Sequence, residues 1–424
     1  MATLLFILLL VLIVINVPIA IALGLATIVV FIVAGNVPLV ILPQKMFAAL
    51  DSFPLMAAPF FILAGKLMEH GGISERLIGF AQSLVGQFKG GLAHVSIVAC
   101  VFFAAISGSA NATTAAIGSI MIPAMVKAGY DRNFATAIQA AGGTTGIVIP
   151  PSVPLVLYGV SASVSISSLF IAGIVPGILL GVSLMIVAYI VSSVKGYGKG
   201  AEKTNIKRIV KAFKESILAL FMPIIILGGI YGGFFTPTEA SVVAVVYGFI
   251  VGWFVYKKIN LKILRKILVS SSVTTSVILF IIATAALFGM LLTRENVPQN
   301  IANMFLEADL SPFVILLLLN LFLLVVGTFM ETIASIIILT PILLPVATSI
   351  GVDPTHFGII MITNLAIGLI TPPVGVALFV GAQVGNARYE GVVKAILPFL
   401  FMMIVDVLLI TFIPGLTLVN IMDK

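Results

Sequence analysis

"IPAMVKAGYDRNFATAIQAAGGTTGIVIPPSVPLVLYG" (Ile122 to Gly159) and "LPVATSIGVDPTHFGIIMITNLAIGLITPPVGVALFVG" (Leu344 to Gly381) are two versions of one pattern. A shift of 222 residues pairs Pro123 with Pro345, Gly129 with Gly351, Asp131 with Asp353 and Gly146 with Gly368. The same shift pairs Pro150 and Pro151 with Pro372 and Pro373, Gly159 with Gly381, and Pro176 with Pro398. Nearly all of these residues act on the backbone, since glycine opens unusual torsions and proline interrupts the hydrogen-bond ladder. Chance does not account for matches of that kind, so the chain carries an internal repeat. Upstream, "NVPIAIALG" from Asn16 and "FTPTEASVV" from Phe235 each set a proline at a helix start.

The repeat lies in a chain of 424 residues that is 61% hydrophobic and 9% charged. A soluble domain carries roughly 25% charged residues, so a water-soluble fold is excluded. Residues 1–44 and 133–194 hold no charged side chain. A helix crosses a bilayer with about 20 apolar residues, so each run has room for two or more crossings. A transmembrane barrel needs short alternating segments, which the sequence lacks. The reading is an all-α, polytopic membrane protein. Its apolar start has no positive n-region and leads into further membrane segments, which reads as a retained helix rather than a signal peptide. The single cysteine, Cys100, reads as a small buried side chain. Three scattered histidines offer no metal-ligand cluster. Neither a nucleophile–base pair nor a Walker motif is present. The chain is therefore expected to be neither an enzyme nor an ATP-driven pump.

The net charge of +7 is read by position and not as a nucleic-acid footprint. Seven Lys/Arg lie between Lys195 and Lys214 and five between Lys257 and Lys266. The positive-inside rule puts both loops in the cytoplasm, with Ser216 to Tyr256 long enough for two helices between them. Counting outward puts Lys66, Arg76, Lys89, Lys127, Arg132, Arg388 and Lys394 inside, and Lys45, Arg294 and Lys424 outside. On that count the two repeat units start on opposite faces. Inverted repeats of this sort are the signature of a secondary transporter.

Gly90 to Val126 has no Lys, Arg, Asp or Glu, yet at its centre stands "SGSANATT" (Ser107 to Thr114). About 16 residues flank the tip on each side, or roughly 24 Å of helix, short of the ~30 Å hydrocarbon core. A re-entrant hairpin at about 91–127 follows, with both ends in the cytoplasm. A second, at about 310–346, has its tip at "GTFMET" (Gly327 to Thr332) and its ends outside. After each hairpin comes a helix that should break, at about 131–163 around "GGTTGIVIPPS" and at about 354–386 around "AIGLITPPVG". Carbonyls freed by paired prolines cannot stay bare in lipid. Set against a tip bearing Ser, Asn and Thr, they form a cage of neutral oxygens suited to sodium. Two such cages would flank one anion site. The division is 1–214 for the first repeat and 215–424 for the second.

Plainer readings stand beside these. Small residues at the first tip serve close helix packing, and each proline pair serves as a kink. Glu331, the only charge between Asp309 and Asp353, is a functional candidate by its depth or a local hydrogen-bonding partner. Thr236, Pro237 and Glu239 fit a capped helix start.

"LDSFPLMAAPFFILAGKLMEHGGISERL" (Leu50 to Leu77), "GGIYGGFFTPTEA" (Gly228 to Ala240) and the two double-proline loops resemble the DctM-like large membrane subunit of tripartite ATP-independent periplasmic (TRAP) transporters. The resemblance runs over nearly the whole chain. It implies a bacterial inner-membrane protein driven by sodium, the coupling ion, with no other cofactor. It also implies an organic-anion substrate, such as a C4-dicarboxylate or sialic acid, handed over by a periplasmic binding protein. The small four-helix membrane subunit would be a separate chain, because this one begins directly with the large subunit. The implied fold is similar to that of divalent-anion/sodium symporters, with elevator movement. Carried over residue by residue, the first sodium site would use Ser107, Ser109 and Asn111 with the carbonyls from Gly143, Thr144 and Thr145 to Ile149. The second would use Gly327, Thr328 and Thr332 with Gly368 to Thr371. Asn111, Thr113, Glu331, Pro150, Pro151, Pro372 and Pro373 are expected beside the substrate. The alternatives are a stand-alone symporter without a binding protein, and a channel, which would want a continuous polar path.

Overall fold

Long runs of Leu, Ile, Val and Phe leave backbone amides and carbonyls no partners but one another, and in lipid the answer is helix. The structure, a computed structural model, describes residues 1–35, 38–198, 205–307 and 310–417. Lys199, Lys203, Asp309 and Lys424, used above in counting charges, lie outside the described residues. All regular structure among the described residues is helical. The first half holds α1 (Ala2–Val14), α2 (Ile19–Ala34), α3 (Ile41–Leu50), α4 (Ala57–His70), α5 (Ile73–Val85), α6 (Gly91–Ser107), α7 (Ala110–Lys127), α8 (Arg132–Thr144), α9 (Val153–Ala162) and α10 (Ile166–Lys195). The second holds α11 (Ile206–Tyr231), α12 (Pro237–Ile250), α13 (Leu261–Arg294), α14 (Val297–Glu307), α15 (Pro312–Phe329), α16 (Thr332–Ser349), α17 (Pro354–Gly368), α18 (Val376–Gly385) and α19 (Tyr389–Phe412). Seven helices among the described residues are long and apolar enough to cross a bilayer. They become eight if Ile41–Leu50 and Pro54–His70, bent by 65°, form one span.

Helix bounds recur at the spacing of the sequence repeat. α7 and α16 start and end 222 residues apart, and α8 and α17 start 222 apart. The caps recur as well. Asp131 accepts from Phe134 N at 2.9 Å to open α8, and Asp353 accepts from Thr355 N and His356 N at 2.7 and 3.1 Å to open α17. Ser109 caps α7, and its counterpart Glu331 caps α16. A side-chain acceptor at these ends satisfies amides that the helix itself leaves orphaned. At α12, Thr236 N donates to Glu239 Oε2 at 2.8 Å and Glu239 N donates to Thr236 Oγ1 at 3.3 Å, the capping box read from the sequence.

Two residues join α6 to α7, which pack on each other, and two residues join α15 to α16, with α15 packed chiefly on α17. The four arms have 17, 18, 18 and 18 residues, about 26 to 27 Å each at 1.5 Å per residue. They are thus slightly longer than expected and still short of the ~30 Å core. α8 is buried without interruption from Phe134 to Thr144, and α17 from His356 to Gly368. Covered on every side, these two helices form the centre. The repeats interlock there. α18 packs on α7 and α8, with Gly381 against Thr136, while Gly358 of α17 leaves room for the ring of Tyr158 in α9. Cys100 is buried in the same core and donates to Gln139 Oε1 at 3.3 Å. Outside this centre, α4 packs against α12 and α13.

Candidate ion and anion site

The first tip is built by one torsion. α6 stops at Ser107 because Gly108 takes φ +58°, a left-handed value that glycine adopts without a Cβ clash. Ser109 follows in extended conformation and starts α7. The Ser107 and Thr113 hydroxyls share a hydrogen bond of 2.8 Å, and Thr113 Oγ1 donates to Ser109 O at 2.8 Å. The hydroxyls are thus ordered among themselves. The first break lies directly against this tip. A Cβ on Gly146 would stand 2.6 Å from Ser109 O and 2.7 Å from Thr113 Oγ1, and one on Gly108 would stand 3.0 Å from Pro151 O. Only glycine permits so close an approach of tip oxygens to broken helix.

The break itself starts later than the sequence suggests. Gly142 to Thr144 stay α-helical, a 3-10 turn covers Thr145–Ile147, and Pro150–Pro151 is a cis peptide. Thr144 Oγ1 donates to Ala141 O and Thr145 Oγ1 to Gly142 O, both at 2.7 Å. Gly143 abuts Thr114. Thr145 O accepts from Val148 N and Ile149 N at 3.1 and 2.9 Å, and Ile147 O accepts from Ser152 Oγ at 2.6 Å. Thr145 O thus has both lone pairs engaged, whereas Ile147 O, with one hydrogen bond from Ser152, keeps a second lone pair for a cation.

At the second tip α15 ends at Phe329, Met330 is extended, and Glu331 opens α16 by accepting from Ile333 N and Ala334 N at 2.8 and 3.2 Å. Behind it Gly327 and Gly368 bring two backbones together. A Cβ on Gly368 would stand 2.5 Å from Gly327 Cα. The break Leu369 to Gly375 contains the cis pair Pro372–Pro373, and Gly375 N donates to Thr328 O at 3.4 Å. Thr328 Oγ1 and Thr371 Oγ1 donate back into their own helices, to Val325 O at 2.6 Å and Ile367 O at 2.8 Å.

Both tips and both breaks open on one cavity of about 360 Å³. Of the residues singled out in the sequence, it gathers Ser107, Ser109, Asn111, Glu331 and Thr332. Thr113 lies within the first tip, and the walls at the breaks are Ile147, Val153 and Pro154, then Leu369 and Val376. Gly143, Thr144, Thr145, Ile149, Gly327, Thr328, Gly368 and Thr371 are not among the lining residues, nor are Pro150, Pro151, Pro372 and Pro373. The carbonyl of Pro373 accepts from Tyr389 OH at 2.8 Å. Asp406 is also elsewhere, fully buried with its Oδ1 accepting from Ser183 Oγ at 2.7 Å.

Sequence reasoning missed one wall. Lys66 and Glu69 of α4 and Thr274 of α13 line the same cavity. Lys66, counted above among cytoplasmic charges, lies within α4, half-buried, with Nζ donating to Ser270 Oγ at 2.8 Å and Thr274 Oγ1 at 3.4 Å. The available signal was spacing. Two charges three apart in the apolar stretch "AAPFFILAGKLMEH" share one helix face. The cavity thus offers hydroxyls, an amide, one ammonium and two carboxylates among mostly apolar walls, the composition of a small-ligand site.

Residues 6–416 match the family described as "Tripartite ATP-independent periplasmic transporter, DctM component". An isethionate TRAP transporter permease, DctMQ of Oleidesulfovibrio alaskensis, is 46% identical over 93% of this chain, which spans 62% of that relative's length. The C4-dicarboxylate large permease DctM of Pseudomonas aeruginosa is 44% identical over 88% of this chain and 87% of its own. The sialic acid large permease SiaM of Vibrio cholerae is 39% identical over 88% of both. The crystal structure of the YdaH transporter of Alcanivorax borkumensis shares the fold, with a TM-score of 0.63 at 14% identity over 88% of this chain and 87% of that one. Since the family match takes in the hairpins, the breaks and the framework alike, this chain is a multi-pass inner-membrane protein that belongs to the DctM family, the large permease component of TRAP transporters.

Proposed function

We propose that the chain carries out sodium-coupled uptake of a small organic anion received from a periplasmic binding protein, with a small membrane subunit as a partner. The observation that supports this reading best is the convergence of two hydroxyl-bearing tips and two broken helices on one cavity. In the proposal the hairpins enter from opposite faces and belong to inverted repeats. Sodium sits between Ser107, Ser109 and Asn111 and the carbonyls of Gly143 to Ile149. A second ion sits between Gly327, Thr328 and Thr332 and residues Gly368 to Thr371. Sodium orders the tips, so the anion site is complete only when loaded, and coupling follows from that differential affinity. The interlocked centre then moves against the framework helices as an elevator. The relatives named for isethionate, C4-dicarboxylates and sialic acid suggest a carboxylate or sulfonate.

Two sodium ions with a monoanion carry one net positive charge inward, and the membrane potential adds roughly 2.3 kcal/mol per charge per 100 mV. That exceeds the ~1.4 kcal/mol of one decade of accumulation. The test is uptake in proteoliposomes with both partner proteins present. An inward sodium gradient is expected to concentrate the acid at least tenfold over a potassium control. Equal uptake in the two salts would rule sodium coupling out.

A further inference from the structure

The ammonium of Lys66 does something that the tips and breaks do not explain. It reaches the cavity from α4, which packs against the first tip at Gly65 and Ser107, and it is the single cation among the described lining residues. Two hydroxyl acceptors, on Ser270 and Thr274, fix its position. An ammonium has three donors, so one is left to aim at a ligand. No carboxylate of the described residues lies within ion-pair distance of it. Glu69, one turn along the same helix, and Glu331 both face this cavity and would repel an entering anion. A lysine kept inside a membrane protein and facing a cavity marks a functional group.

We propose that Lys66 is the fixed counter-charge for the anionic head of the transported molecule, a carboxylate or sulfonate, and so sets the preference for anions over neutral analogues. This rests on the transport reading above. Lysine suits the task as a compact point charge that accepts either head group without demanding its planar geometry. Lys66 is not one of the residues assigned to sodium, so its loss is expected in the acid KM and not in the sodium KM.

The experiment uses the complete complex with its small subunit and binding protein, in proteoliposomes with an inward sodium gradient. Isethionate, succinate and N-acetylneuraminate serve as probes. For whichever acid the unaltered complex takes up, Lys66→Gln is expected to raise its KM about 30-fold or more. The sodium KM should stay within about threefold, and Lys66→Arg should recover the acid KM to within about fivefold. An unchanged acid KM in Lys66→Gln, with sodium-driven uptake intact, overturns the assignment alone. A purely structural tie to α13 would shift both constants together, and that result also overturns it. If Lys66→Gln fails to assemble, thermal stabilisation of the unaltered complex in constant sodium decides. The acid is expected to raise Tm and its neutral amide is not; equal shifts overturn the proposal. Uptake of none of the three acids by the unaltered complex would overturn the transport reading, and this inference with it.

Discussion

Gly146→Ala is expected to lower sodium-driven uptake about 100-fold, the scale of loss that follows when reacting or binding groups are displaced by about 1 Å. The new methyl would stand 2.6 Å from Ser109 O and 2.7 Å from Thr113 Oγ1, closer than carbon and oxygen can approach. Neither neighbour is the free end of a flexible side chain. Ser109 O is backbone, and Thr113 is held on two sides by hydrogen bonds. The tip must therefore withdraw from the break, and the oxygens assigned to the first ion separate. Overpacking of this kind costs about 1–3 kcal/mol, a fraction of the 5–15 kcal/mol typical of a folded protein, so the variant is expected to assemble with a lowered Tm. Gly79→Ala is the control, because a Cβ there meets nothing within 4 Å. Near-normal uptake by Gly146→Ala would mean that contact between tip and break is not part of the ion site.

The second large effect is at Glu331, where two roles can be separated. Its carboxylate accepts from two amides at the start of α16 and faces the cavity. As a cap it contributes about 1 kcal/mol. As a charge roughly 8–16 Å from a bound cation it contributes on the order of 1–2 kcal/mol at an effective dielectric near 20. Glu331→Gln keeps an acceptor for the cap and removes the charge, so the sodium KM is expected to rise about tenfold with little change in Tm. Glu331→Ala removes both and is expected to lower Tm as well. If Glu331→Gln leaves the sodium KM unchanged, the carboxylate is a helix cap and no more.

What the sequence disclosed and what it hid divide along the range of the interactions. The tips and breaks were legible because Gly108 and the proline pairs act on their own backbone. The break at Gly142 was placed too early. A glycine costs a helix only about 1 kcal/mol relative to Ala, and the continuous burial from Phe134 to Thr144 outweighs it. The correspondence of Ser109 with Glu331 was hidden because it lies at the same spacing but in different residue types. Lys66 was hidden more deeply. Nothing local to α4 says that α13 will supply Ser270 and Thr274, or that both tips will line the same cavity. The helix-bearing repeat could be read from the chain, but the α4 wall of the cavity needed the packed molecule.

The most direct measurement is the accessibility of the tips. In a Cys100→Ala background, single cysteines at Asn111 and Thr332, which both line the cavity, are labelled in proteoliposomes by a membrane-impermeant thiol reagent. If both tips close around sodium, exchanging potassium for sodium is expected to slow labelling at both positions about tenfold or more, for a shift of ~1.4 kcal/mol toward the closed form. Equal rates in the two salts at both positions would contradict the account.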